Sequence, residues 1–325
     1  MLWGLGLVSL VVAAVVARLL VTRFARLALD QPNARSLHER PVPRTGGLAV
    51  LAGIAASTAV FGTALWLPLG LALALAVISL IDDLRGMPAL VRLLAHLAAA
   101  GFLAWYVLSP MHTAALVLIA LGIAWITNLY NFMDGSDGLA GGMTVIGFGA
   151  YALAAAFVGH APLAATSLAI AAAALGFLVY NFHPARIFLG DVGSIPLGFL
   201  AGALGVVGWR DDVWPLWFPL LVFGPFIGDA TITLLKRAAR RERVWRAHRE
   251  HYYQRLVRMG LGHRATALIG YAAMLACAAA ALFGREQAPV VQAVVFAGVS
   301  ALLGVMAGWI DLRWRRAAAA VDKPA

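Results

Sequence analysis

Four polar side chains recur every third residue in Thr127-Asn-Leu-Tyr-Asn-Phe-Met-Asp-Gly-Ser-Asp-Gly-Leu-Ala-Gly-Gly142: Asn128, Asn131, Asp134 and Asp137. Apolar runs flank them, Ala114 to Ile126 before and Leu139 to Val158 after. On a helix that spacing keeps polar groups on one face. Carboxylates at membrane depth are costly and mark function by default; here they suit a cation and the phosphates it carries. Asp82-Asp83 adds a second acidic pair. Adjacent carboxylates repel unless a cation or Arg compensates, so the pair could hold metal, act as a base, or both. Arg92, further along, either reaches for the interface or contacts phosphate. In Asn181-Phe-His-Pro-Ala-Arg-Ile-Phe-Leu-Gly-Asp191-Val-Gly-Ser194, Asp191 lies between two glycines that let backbone approach a phosphate. Ser194 is expected to start a helix whose free N–H groups favour anions.

A basic stretch follows later: Lys236, Arg237, Arg240, Arg241, Arg243, Arg246 and Arg249. Basic residues beside a span bind anionic lipid head groups. His248 and His251 are spaced i, i+3, expected on one helical face beside Gln254 and Arg255. With no third ligand nearby, phosphate or pyrophosphate binding suits them better than metal. His96 and His183 read as structural or interfacial.

The elements that must position these groups are membrane helices. The chain of 325 residues is 62% hydrophobic and 12% charged, with mean hydropathy +0.85, which excludes a soluble core. One cysteine, Cys277, excludes a disulfide framework and reads as a small buried hydrophobe. The first apolar segment lacks the basic start and small-residue cleavage site of a signal peptide. The +10 net charge does not point to nucleic acid, because its distribution follows membrane sidedness.

A crossing needs about 20 apolar residues, and about eleven such spans are expected. They run Leu2 to Leu20, then two short passes within Gly46 to Ile81, then Leu90 to Leu108, Thr113 to Leu129, Leu139 to Val158 and Pro162 to Tyr180. Ser194 to Val207, Trp214 to Leu235, Thr266 to Phe283 and Pro289 to Trp309 complete the set. The Gly46 to Ile81 stretch has no charge, and as one helix it would be about 54 Å long; two passes meeting near Thr63 to Pro68 fit better. The chain is thus expected to be a single all-α polytopic domain over residues 1–325. All 25 Lys and Arg except Arg210 and Arg285 fall on one side. The positive-inside rule puts that side in the cytoplasm, with the amino terminus periplasmic and the carboxyl terminus cytoplasmic. Trp3, Trp66, Trp105, Trp209, Trp214 and Trp217 are expected as an outer aromatic belt. Every polar cluster then lies at the inner mouth. A transporter would carry acidic groups at the midplane, and Asp229 is the one carboxylate inside an expected span.

Together the stretches Pro32-Asn-Ala-Arg-Ser-Leu-His38 with Pro43-Arg-Thr-Gly-Gly47, Asp82-Asp83 followed by Arg92-Leu93, Asn128 to Leu139, and Phe188-Leu-Gly-Asp-Val-Gly-Ser194 resemble the polyprenyl-phosphate N-acetylhexosamine-1-phosphate transferases. That superfamily includes the phospho-MurNAc-pentapeptide translocases and the initiators of O-antigen and capsule synthesis. The resemblance covers Pro32 to about His263 and implies a bacterial inner-membrane enzyme. There, undecaprenyl phosphate attacks the β-phosphorus of a UDP-N-acetylhexosamine and UMP leaves, with Mg2+ (Mn2+ as the alternative) required. It implies Asp191 as the principal metal ligand, joined by Asp83. Asp82 would deprotonate the lipid phosphate with Asp83 in support, and Asn131 and Asp134 would hold the catalytic centre. Asn181, Phe188 and Asp137 would bind uridine. Arg44, Arg92, Asn128, His248, His251 and Arg255 would complete the substrate contacts. Partners implied are the UDP-sugar, the polyprenyl phosphate and membrane lipids, with homodimerisation left open. Two departures stand out: His96 where the family often has Gln, and the open Ala247-His-Arg-Glu-His-Tyr-Tyr-Gln-Arg-Leu256 in place of a tighter histidine cluster. The second argues against MurNAc-pentapeptide and for UDP-GlcNAc or a 6-deoxy sugar such as FucNAc or QuiNAc. The rival classes are a lipid-linked sugar transporter or flippase and a CDP-alcohol phosphatidyltransferase; Asp134-Gly-Ser-Asp-Gly-Leu lacks the Ala-Arg that the latter needs.

Overall fold

Hydrocarbon offers no partner to a backbone N–H or C=O, so long uncharged runs must close their hydrogen bonds within helices. The structure, a computed structural model, describes residues 2–24, 29–30, 37, 41–244 and 248–321. Of the first-loop motif, all but Leu37 between Pro32 and His38 lies outside the described residues, as does Arg246. The helices are α1 (Leu2–Thr22), α2 (Gly46–Phe61), α3 (Trp66–Arg85), α4 (Ala89–Leu108), α5 (Thr113–Phe132), α6 (Leu139–Phe157), α7 (Ala161–Asn181), α8 (Asp191–Arg210), α9 (Trp217–Val222), α10 (Gly224–Ala239), α11 (Tyr252–Leu256), α12 (Gly262–Gly284) and α13 (Pro289–Val321). A π-helical turn, Val257–Leu261, joins α11 to α12. A two-residue ladder pairs β1 (Leu29–Asp30) with β2 (Val42–Pro43), Leu29 opposite Pro43.

The protein is an all-α polytopic membrane protein. Among the described residues nine helical segments are long and apolar enough to cross a membrane. The other two of the expected eleven are shorter elements. One is α2, at 16 residues. The other is the expected Trp214 to Leu235 span, which is broken into α9 and α10. Pro225 has no N–H to carry the ladder across that junction. The expected aromatic belt is corrected at Trp214, which is 3% exposed. It stacks on Tyr151 at 4.6 Å and donates to the Gly205 carbonyl. Helix α13 runs twelve residues past the expected end at Trp309, because Asp311 there is tied to Lys236 and Arg255.

Helix α8 lies at the centre, buried along nearly all of its length from Val192 to Gly208 and packed on α3, α4 and α5. Small residues let the helices approach closely. Helices α1, α2 and α7 meet through Ser9, Ala13, Gly53 and Gly176, and the Ser9 hydroxyl donates to the Ala169 carbonyl at 2.7 Å. The carboxyl end of α3 and the amino end of α4 share an ion pair. Another hydrogen bond joins the carboxyl end of α5 to the amino end of α8, and the α7–α8 loop bonds to the start of α2. All these ends therefore lie at one mouth. His160 and Asp211 meet at the opposite one.

Candidate active site

The mouth is assembled by backbone first. The amides of Gly46 and Gly47 donate to the Phe188 and Leu189 carbonyls, both at 2.8 Å, and the Phe188 amide donates to Pro43 at 2.7 Å. This zipper lays the Arg44 loop along Phe188–Gly190. Gly190 has φ +72°, and a Cβ there would lie 2.2 Å from the Arg44 carbonyl, so only glycine fits this turn. Helix α8 then begins at Asp191, three residues before the expected start at Ser194. Asp191 itself thus sits in the first turn, where the helix dipole favours its negative charge.

Four carboxylates gather there. Asp82 accepts from the Met87 amide at 2.6 Å and from Arg92 at 2.8 Å. Arg92 also reaches Asp191 at 3.6 Å, so one guanidinium spans the ends of α3 and α8. Arg44 pairs with Asp83 at 3.1 Å. Asn131 donates to Asp191 at 2.8 Å and to the Ser194 hydroxyl at 2.9 Å, and Asp134 accepts from the Gly190 amide at 3.2 Å. The side chains of Asp82 and Asp83 are about as enclosed as core groups, at 10% and 9% exposed, whereas Asp191 is open at 31%. Asp191 is therefore more open to an incoming ligand than Asp82 or Asp83. The Arg44 Nε is buried without a partner among the described residues, a donor left for an anionic oxygen.

Other residues expected at the site have protein partners. Asn128 donates to the Ala124 carbonyl and faces the His96 ring at 3.2 Å. Asn181 accepts from the Gly138 amide at 3.1 Å and donates to the Ile187 carbonyl at 2.9 Å. Both ends of its amide thus clamp two loops. Asn181→Ala should leave both backbone groups unpaired in a buried place, at a cost of about 1–3 kcal/mol. The check is a lower unfolding midpoint in detergent. Asp137 accepts from the Ala185 amide at 3.1 Å and meets His183 at 2.7 Å. His263, which no sequence signal marked, stacks on His183 at 5.8 Å and lies 2.9 Å from the Ser136 hydroxyl. Phe188 is half-buried beside the Arg44 loop.

The histidine segment requires a correction. His248 and His251 lie in the loop before α11, not on a helical face, yet their rings pack at 4.8 Å. Burial, with His251 and Arg237 nearby, pushes the His248 imidazole down to about 4. At neutral pH it therefore offers a neutral ring. Arg255 is buried and turned toward α13, bonded to Asp311 at 2.7 Å and to the Glu250 carbonyl at 2.7 Å, so its charge is already answered within the protein. Asp229, the one carboxylate inside an expected span, accepts from the Tyr252 and Tyr253 amides at 2.9 and 3.0 Å. It caps α11.

Residues 65–209 match the model of glycosyl transferase family 4. The chain is 34% identical over 266 residues to a probable undecaprenyl-phosphate N-acetylglucosaminyl 1-phosphate transferase of Bacillus subtilis, covering 75% of this chain and 74% of that one. It is 31% identical over 346 aligned positions to the decaprenyl-phosphate N-acetylglucosaminephosphotransferase of Mycobacterium tuberculosis, covering 89% and 84%. A phospho-N-acetylmuramoyl-pentapeptide-transferase of Moorella thermoacetica is 44% identical over a shorter stretch, 35% of this chain and 33% of that one. With such likeness along most of both chains, and the acidic mouth lying within the matched segment or beside it, this protein belongs to glycosyl transferase family 4.

Proposed function

We propose that the chain transfers N-acetylglucosamine 1-phosphate from UDP-N-acetylglucosamine to a polyprenyl phosphate. UMP is released, and the polyprenyl-diphosphate sugar formed begins a cell-surface polysaccharide. The observation that carries the reading is Arg92 held between Asp82 and Asp191, which puts a base candidate and an open carboxylate on one guanidinium at a membrane mouth. Two relatives named for polyprenyl-phosphate N-acetylglucosamine transfer support the donor and the acceptor. The Lys and Arg asymmetry supports a mouth toward the cytoplasm, and the bacterial relatives support an inner membrane.

Phosphoryl transfer is mostly positioning and charge neutralisation. Asp82 takes the proton of the acceptor phosphate, and the freed oxygen attacks the β-phosphorus as its bond to UMP breaks. Arg92 orients Asp82 and Arg44 orients Asp83. Asn131 holds Asp191 through its first oxygen, and Arg92 lies 3.6 Å from the second. Asp134 fixes the Gly190 turn. Phe188 offers a half-buried ring on which uracil stacks, with Asp137 and Asn181 shaping the loop around it.

Four carboxylates face two guanidiniums here, an excess of hard acidic oxygen that fits Mg2+ first and Mn2+ second. Among the described residues no three acidic, His or Cys side chains close a metal cage. Mg2+ binds through one or two carboxylates, keeping waters and taking phosphate oxygens. Asp191, with Asp83, would hold it, and when bound it would neutralise diphosphate charge.

The test is UMP release by purified protein given polyprenyl phosphate and Mg2+. The donors are UDP-N-acetylglucosamine, a UDP-6-deoxy-N-acetylhexosamine and UDP-MurNAc-pentapeptide. Release is expected with N-acetylglucosamine, lost on adding EDTA and restored by excess Mg2+. Silence with every UDP-N-acetylhexosamine would leave a lipid-linked sugar transporter as the better reading. Release from the pentapeptide donor alone would move the protein to the peptidoglycan branch.

A further inference from the structure

A buried carboxylate in α10 has no place in the chemistry above, yet it is among the most heavily bonded side chains near the mouth. Asp229 is 8% exposed. One of its oxygens accepts from the Tyr252 amide at 2.9 Å, faces the His251 Nδ1 at 3.1 Å and accepts from Thr233 at 3.3 Å. The other accepts from the Tyr253 amide at 3.0 Å. A carboxylate only accepts, so the tautomer with the proton on Nδ1 is the one that hydrogen-bonds Asp229. The ring is held on three sides. Phe132 stacks at 6.2 Å, Tyr253 at 6.0 Å and His248 packs at 4.8 Å. Gln254 completes the hold by accepting from the His251 amide at 3.2 Å.

The segment anchored in this way bears on the mouth. The Tyr253 hydroxyl donates to the Phe132 carbonyl at 3.1 Å, the last residue of α5 and next to Asn131. A Cβ at Gly135 would lie 2.2 Å from that same hydroxyl, so the Asp134-Gly135 turn rests against the tyrosine. One contiguous set of contacts therefore runs from Asp229 through His251 and Tyr253 to the stretch that carries Asn131 and Asp134.

We infer that Asp229 is a positioning residue for the transfer. It orients the His251 ring and seats α11 against the end of α5, and through that seat it places Asn131 and Asp134. This rests on the transferase reading. A role confined to holding the fold would lower the amount of folded protein and leave each folded molecule's turnover unchanged.

The experiment compares wild type, Asp229→Asn, His251→Gln and the double variant, with rates divided by the monodisperse fraction on size-exclusion chromatography. Asn keeps the size of Asp229 but removes the charge and replaces one acceptor oxygen with a donor. Carboxylates that orient a metal-ligating histidine typically matter about 10- to 100-fold, which sets the scale for this one. Asp229→Asn is expected to lower kcat by about that factor, with KM for the UDP-sugar changed by less than about threefold, the pattern of a lost transition-state contact. The double variant should be no slower than the slower single one, because both residues act by seating the same α11 segment. Unchanged kcat per folded molecule in Asp229→Asn, or losses that multiply in the double variant, would overturn the inference. Asp229→Asn protein that is wholly aggregated would make it a fold anchor instead, and would overturn the inference equally. A wild type that releases no UMP would instead remove the transferase reading, and the positioning role with it.

Discussion

Asp191→Asn should release no UMP above background while still inserting in the membrane and eluting as the wild type does. The substitution is close to isosteric, and the amide oxygen can still accept from Asn131, which now bonds the carboxylate at 2.8 Å. What disappears is charge. Arg92, 3.6 Å away, would keep Asp82 but lose its second anion, and the proposed metal site would lose the charge of its principal ligand. Charge stabilisation by a bound ion contributes several kcal/mol in phosphoryl chemistry. A loss of about 4 kcal/mol corresponds to a rate about a thousandfold lower. The check is UMP release at saturating Mg2+, with an unfolding midpoint measured in the same detergent. Activity within tenfold of wild type would take Asp191 out of the metal site. A lowered midpoint would show that its main work is to hold the start of α8.

Gly47→Ala should be nearly as damaging, for a reason that has nothing to do with charge. A Cβ at Gly47 would lie 2.3 Å from the Gly193 nitrogen, 2.4 Å from its Cα and 2.8 Å from the Val192 carbonyl carbon. All three are backbone atoms in the first turn of α8, so no rotamer relieves the contact. Either α2 or α8 must move, and Asp191 moves with α8. A shift of about 1 Å at reacting groups can cost about a hundredfold in rate, and overpacking costs about 1–3 kcal/mol in stability. Both should be seen, in UMP release and in the unfolding midpoint. Gly70→Ala is the control. It too is a helix glycine, but a Cβ there meets nothing within 4 Å, so activity and midpoint should match the wild type.

The helices were legible along the chain because their cause is local. A run free of charge and long enough to cross hydrocarbon must be helical, and most of the expected spans end within a few residues of the observed ones. The division of Gly46 to Ile81 follows from length alone, and α2 and α3 indeed part at Gly62 to Leu65. Where local signals mislead, a distant partner is the reason. Asp311 extends α13 because Lys236 and Arg255 meet it, and Trp214 leaves the lipid interface because Tyr151 stacks on it.

The acidic mouth was legible in kind but not in arrangement. Asp82, Asn131, Asp134 and Asp191 stood out because carboxylates and amides at membrane depth are costly and need a purpose. Nothing in their spacing tells that Arg92 bridges Asp82 to Asp191, that Asn181 spends its amide on Gly138 and Ile187, or that Asp229 caps α11 beneath His251. Those pairs are made by helices packed side by side, up to 99 positions apart along the chain in the case of Arg92 and Asp191. Residue type and hydropathy settle which groups lie at the membrane surface, since desolvation acts on each one separately. Which group answers which is settled only when glycines such as Gly47 and Gly193 let two backbones close to contact.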